Sequence, residues 1–175
     1  MAQMNLADLH ILRVERGHDA SLGPLLKQYC REMRAWMAPT SDAAEGSTYP
    51  LEKVWNDDTH VYLAYVADIP AGFALVGSAQ RYVGDRNVKD MVEFFVATNL
   101  RRNGFGRAMA GYIWNRYPTK WLVRVYQDNT SAMRFWSGVI ANYSSGAYRE
   151  EVRSISGNAW SYFTFAPSNN RWRGP

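Results

Sequence analysis

The segment from Asp90 to Arg107, DMVEFFVATNLRRNGFGR, constrains this chain more than any other. Met91 to Ala97 is an apolar run of strand length. Thr98 to Asn103 is a short polar turn. Gly104 and Gly106 then open a stretch whose apolar residues fall at helical spacing. A strand that passes through a glycine turn into a helix builds a place for an anion. The first N–H groups of a helix have no partner within it, and the helix dipole turns its positive end the same way. Arg101, Arg102 and Arg107 flank that end. The segment is therefore predicted to be a phosphate-binding turn.

The rest of the chain supports a single compact domain. Its 175 residues are 47% hydrophobic, enough for a sizeable core and too apolar for disorder. The core is expected over residues 9–165, with 166–175 as a tail. No apolar run approaches the ~20 residues of a membrane span. The N-terminus lacks the basic-then-apolar pattern of a signal peptide. A lone Cys30 excludes an internal disulfide and fits a reducing cytoplasm, most simply as a packed core thiol. The formal charge of +4, from 20 Lys and Arg against 16 Asp and Glu, favours an anionic ligand. Nucleic-acid binding is disfavoured, because outside the central turn and the tail, with Arg171 and Arg173, the basic residues are scattered.

Leu9 to Arg16 alternates as a first strand, and Leu22, Leu25, Leu26, Tyr29, Met33 and Trp36 mark a helix over 21–37. The polar stretch 39–50 reads as a loop, with a short helix possible in principle from Tyr49 to Trp55. His60 to Ala67 and Ala71 to Ala79 read as a hairpin turning at Asp68, Ile69 and Pro70. After a loop over 81–89 come the central strand, a helix over 104–117, a strand over 120–126 and a short capped helix through Trp136. Val139–Tyr143 and Ala159–Phe165 read as closing strands, with Glu150–Ile155 as a candidate for one more. Interspersed strands and helices of this kind predict an α/β fold, a mixed sheet with helices on both faces.

Two motifs carry a resemblance. Arg101-Arg102-Asn103-Gly104-Phe105-Gly106 follows an apolar strand ending near Val96. Asn129-Thr130-Ser131-Ala132-Met133-Arg134-Phe135-Trp136 opens the helix after the next strand. In that order the chain resembles the GNAT superfamily of acyl-CoA-dependent N-acetyltransferases. It is most similar over 93–140, where it also resembles a bacterial subgroup of predicted acetyltransferases. The resemblance implies a mostly antiparallel central sheet whose fourth and fifth strands splay apart. It implies acetyl-CoA as acyl donor, no metal, and an amine acceptor of unidentified kind. A homodimer is compatible with it. The coenzyme pyrophosphate would meet Arg101, Arg102, Asn103, Gly104, Phe105, Gly106 and Arg107. The pantetheine arm would lie along Phe95 and Val96, near Asn129, Phe135 and Trp136.

Direct transfer to an amine needs a base for the ammonium proton, and an acid helps the thiolate leave. Glu93, inside the apolar run MVEFFV, is the candidate base, with Asp90 second. Its structural alternative is a carboxylate paired with an arginine such as Arg124. The resemblance implies a tyrosine acid where this chain has Trp136, whose indole N–H does not ionise near neutrality. Tyr143, or Tyr126, is the substitute by sequence. The alternative to an enzyme is a silent module that binds acyl-CoA without turnover.

Overall fold

The computed structural model describes residues 5–17, 19–36, 49, 54–56 and 58–168. The expected short helix over Tyr49–Trp55 and the tail arginines lie largely or wholly outside them. Among these residues seven strands make one sheet: β1 (Leu9–Val14), β2 (His60–Val66), β3 (Ile69–Ser78), β4 (Lys89–Val96), β5 (Trp121–Tyr126), β6 (Tyr148–Ile155) and β7 (Asn158–Phe165). Their spatial order is β1-β2-β3-β4-β5-β7-β6. The helices described in full are α1 (Asp19–Trp36), α2 (Gln80–Val83), α3 (Phe105–Arg116) and α4 (Thr130–Tyr143). The sheet is mixed and mostly antiparallel, as expected. β4 and β5 run parallel, and their ladder pairs only Lys89–Met91 with Trp121–Val123. β4 continues beyond that ladder to Val96 and β5 to Tyr126.

The chain divides into two compact units, Met1–Leu75 with Glu93–Phe105, and Val76–Val92 with Gly106–Pro175. In the first, α1 buries Leu22, Leu25 and Leu26. Tyr29 extends that stripe by one turn, at the helical spacing the sequence shows. α1 begins at Asp19, so Pro24 sits two residues deeper than the sequence implied. Ala20, whose carbonyl then lacks its helical N–H partner, is exposed to solvent. β1 and β2 pair antiparallel from Leu9↔Val66 to Val14↔Val61. The β2–β3 hairpin turns at Ala67 and Asp68, both left-handed (φ 47° and 64°), rather than at Asp68–Pro70. A two-residue turn of that hand matches the twist of its strands.

In the second unit, Trp114 of α3 is fully buried. Its ring centroid lies 4.8 Å from those of Tyr143 and Phe165, and 6.0 Å from that of Trp136. Its indole N–H finds no hydrogen-bond partner among the described residues, a cost of about 1–3 kcal/mol that this burial must offset. The expected strand Val139–Tyr143 is instead the end of α4. Trp136, Val139, Ile140 and Tyr143 are its buried residues, spaced i, i+3, i+4, i+7. β6 is a full strand of 8 residues. It joins β7 through Ser156 and Gly157, again both left-handed. The loop expected over 81–89 includes α2, which Gly84 closes at φ 74°.

Candidate active site

The turn between β4 and α3 is built from the backbone outward. Thr98–Leu100 forms one 3-10 turn. Arg102 (φ 69°) and Gly104 (φ 81°) are then both left-handed. Arg102 bears the cost of that conformation, about 1 kcal/mol or more, and glycine removes it at Gly104. A Cβ on Gly104 would also come within 3.4 Å of the Leu6 side chain. Asn103 Nδ2 donates to the carbonyls of Leu100 (3.3 Å) and Arg101 (3.2 Å), which closes the turn onto itself. Phe105, 2% exposed, anchors the first residue of α3. Arg102, Asn103, Gly104 and Arg107 are exposed, and Gly106 lies in the first turn of the helix.

Arg101 behaves differently from its neighbours. Its Nε donates to the Val96 carbonyl (2.8 Å), its Nη2 to Glu32 Oε2 (2.7 Å), and its guanidinium lies 5.2 Å from the Phe95 ring centre. Thr98 Oγ1 donates to the other oxygen of Glu32 (2.7 Å). Glu32 of α1 therefore fixes both ends of the turn's first half. Neither Glu32 nor its role was legible in the sequence. It is 69 residues from Arg101, and no local pattern distinguishes it from other helix-surface glutamates.

Glu93 is half-buried on β4, and two phenols hold it. Tyr29 donates to its Oε2 and Tyr49 to its Oε1 at 3.1 Å. Tyr29 also packs edge-on against Phe73 (5.6 Å) and Phe95 (5.8 Å). Burial, then the Glu93 charge, pushes the Tyr29 hydroxyl well above the usual tyrosine value, so it remains a donor. The sequence offered Tyr29 only as part of the apolar stripe of α1, and Tyr49 only as the start of a short helix. β3 approaches β4 closely at this level: a Cβ on Gly72 would come within 2.3 Å of the Phe95 carbonyl oxygen.

The carboxylate that Arg124 takes is Asp90's, at 2.9 Å. Arg124 also stacks over Tyr82, 4.1 Å from its ring centre. Burial raises the Asp90 carboxyl, and Arg124 pulls it back only in part. This pair is a fixture of the second unit's interior, so Asp90 is the weaker candidate for a base.

Asn129 caps α4 by accepting from the Ala132 N–H (3.0 Å), and Ser131 Oγ donates to the same oxygen. Phe135 is half-buried and packs on Trp136 (4.9 Å), which is 7% exposed. Tyr143 is 3% exposed and donates to Asn115 Oδ1 (3.1 Å). Burial pushes its hydroxyl up to about 12. Tyr126 donates to Asp128 (2.9 Å). Cys30 is half-buried rather than packed in the core, and burial raises its thiol, which argues against a thiolate nucleophile. Among the described residues no group of acidic, histidine or cysteine side chains could hold a metal ion, and no helix is long and apolar enough to cross a membrane.

No family model and no curated protein matches the sequence. Solved structures do. The ribosomal-protein-S18-alanine N-acetyltransferase of Escherichia coli matches 94% of this chain and 99% of its own, at 10% identity and a TM-score of 0.63. A protein of Desulfovibrio desulfuricans assigned to the GNAT family matches 90% of this chain and 98% of its own, at 14% identity and 0.63. A protein of Bacillus anthracis assigned as a streptothricin acetyltransferase, solved with acetyl coenzyme A, matches 93% and 99%, at 13% identity and 0.59. The chain has the fold of the GNAT acetyltransferases.

Proposed function

We propose that the chain is an acyl-CoA-dependent N-acetyltransferase of the GNAT superfamily, with a primary amine as acceptor. One observation carries this reading: Arg102 and Gly104 are left-handed immediately before α3. Successive backbone N–H groups in such a turn make an anion-binding concavity at a helix N-terminus. The coenzyme pyrophosphate suits it in charge. Arg102 and Arg107 supply the exposed cations, and Asn103, Gly104, Phe105 and Gly106 the N–H groups. Phe95 and Val96 offer backbone to the pantetheine arm; Asn129, Phe135 and Trp136, in the second unit, carry the other motif of the resemblance. Arg101 acts by bracing the turn, because its guanidinium is already committed.

In the reaction, Glu93 takes a proton from the acceptor ammonium, directly or through water. The free amine nitrogen attacks the thioester carbonyl, a C–N bond forms, the C–S bond breaks and the thiolate leaves, while the nitrogen gives up its second proton to solvent. A thiol of ordinary pKa near 8.5 departs without full protonation in the transition state. Tyr143 is a poor acid for it, with its proton given to Asn115 and its side chain buried. We therefore assign protonation of the thiolate to solvent.

The test is thiol release from acetyl-CoA across a panel of amines, beside calorimetric CoA binding. Gly104→Glu should abolish binding, because it adds a negative charge and a strained φ at the turn. Glu93→Gln should preserve binding and lower turnover by ~10²-fold or more. Parent protein that binds no CoA, or Gly104→Glu that binds like the parent, would overturn the proposal.

A further inference from the structure

The N-acetyltransferase reading needs a base that is ionised at working pH yet sits beside apolar rings. A half-buried carboxylate needs hydrogen-bond donors to stay charged and a fixed orientation to act. Two observations answer both needs. Each Glu93 oxygen accepts a phenol hydrogen bond, from Tyr29 on α1 and from Tyr49. The phenol of Tyr29 is itself fixed by edge-on packing against Phe73 and Phe95. The two tyrosines also approach each other, with ring centres 6.5 Å apart.

We infer that Tyr29 and Tyr49 are positioning residues for the base: they hold the Glu93 carboxylate as an anion and orient it toward the acceptor ammonium. This rests on the N-acetyltransferase reading. The titratable groups set against Glu93 include Tyr29 and Cys30 on α1 and Tyr49. Cys30 feels the Glu93 charge and remains a neutral thiol. The phenols are neutral donors as well, so both stabilise the ionised form. The same setting selects the acceptor. A carboxylate beside the reacting nitrogen, as in a free amino acid, would bring a second negative charge close to Glu93. The site therefore fits an amine on an apolar substituent without an adjacent carboxylate.

The sign of the pH effect follows. Hydrogen bonds to the charged form lower a carboxyl's pKa, so removing one raises it. Activity that requires ionised Glu93 then moves to higher pH. Tyr29→Phe and Tyr49→Phe each delete one hydroxyl and keep the ring that packs. Two measurements decide the inference: the pH profile of kcat/KM with a simple alkylamine, and a carbon-13 titration of the Glu93 carboxyl by NMR, assigned with Glu93→Gln. In Tyr29→Phe both should move up by about one pH unit, roughly a tenfold loss of kcat/KM on the acidic limb. Tyr49→Phe should move both in the same direction. The corresponding amino acid should be a poorer acceptor than the alkylamine in the parent. Unchanged carboxyl titration in both variants would overturn the inference, whatever the rates. An absence of thiol release from the parent with every amine would instead count against the acetyltransferase reading, and the NMR titration would still decide whether the tyrosines hold the carboxylate.

Discussion

Replacing Arg124 with Met should be among the most damaging single changes in the second unit. Asp90 is 1% exposed, and Arg124 Nη2 reaches its Oδ2 at 2.9 Å. Even with that partner, burial holds the Asp90 carboxyl above its ordinary value, so the pair does not fully repay desolvation. Removing the arginine leaves a buried carboxylate with its chief counter-charge gone, at a cost of about 3–5 kcal/mol. For a chain of this size that is on the order of 10 °C in Tm. The deficit should depend on pH. A raised folded pKa means that the native state holds the proton more tightly than the unfolded chain. Its stabilising contribution is full below the unfolded value, near 4, and is lost as pH rises through the folded one. Arg124→Met raises the folded value further, so its deficit should shrink from pH 7 to pH 5. The double variant Asp90→Asn, Arg124→Met should recover most of it. Urea unfolding at both pH values measures this. A deficit under ~1 kcal/mol at pH 7, or one that does not change with pH, would refute the reasoning.

Two further changes test other parts of the chain. Gly72→Ala drives a Cβ to 2.3 Å from the Phe95 carbonyl oxygen, which is backbone and cannot rotate away. It should cost about 3 kcal/mol in unfolding and weaken CoA binding by shifting β4, whereas equal stability would mean that β3 moves freely. Tyr143→Phe removes a hydroxyl bonded to Asn115 and should cost about 1 kcal/mol, with kcat within about twofold of the parent. A loss of ~10²-fold in kcat would restore Tyr143 as the general acid.

The sequence exposed what is local and periodic. The β4–turn–α3 segment needs only a strand, two glycines and a helical stripe, all contiguous. The Asn129 cap is likewise readable, because a cap and its N–H partner lie three residues apart. The misread elements are short and ambiguous. Val139–Tyr143 is five apolar-rich residues that suit a strand until Trp136 is included, when the spacing becomes helical. Pro70 drew the β2–β3 turn toward itself, although the left-handed pair is Ala67–Asp68. What escaped altogether is the pairing of distant residues. Glu93 meets Tyr29 across 64 positions, and Arg101 meets Glu32 across 69. Composition equally allowed Arg124 to take Glu93 or Asp90; the fold presents it with Asp90.

The commitment of Arg101 changes what its mutation should report. A phosphate-binding arginine acts through charge, and its loss should flatten the salt dependence of CoA binding. A brace acts through geometry, and its loss should weaken binding by a factor independent of salt. The Arg101–Glu32 pair is partly exposed (37% and 33%), so the ion pair itself contributes no more than about 1 kcal/mol. The Val96 carbonyl bond and the contact with the Phe95 face remain when Glu32 is removed. Glu32→Ala should thus leave CoA affinity within about threefold of the parent, with the added net positive charge opposing the lost brace. Arg101→Ala removes all three contacts and should cost roughly tenfold, about 1.4 kcal/mol, with the slope of log affinity against log salt unchanged. Arg102→Ala should cost a similar factor and reduce that slope, because its exposed charge is the one a phosphate would meet. Calorimetric titration at three salt concentrations separates these outcomes. If Arg101→Ala flattens the slope as much as Arg102→Ala does, Arg101 leaves Glu32 to bind the ligand, and the brace is only its resting state.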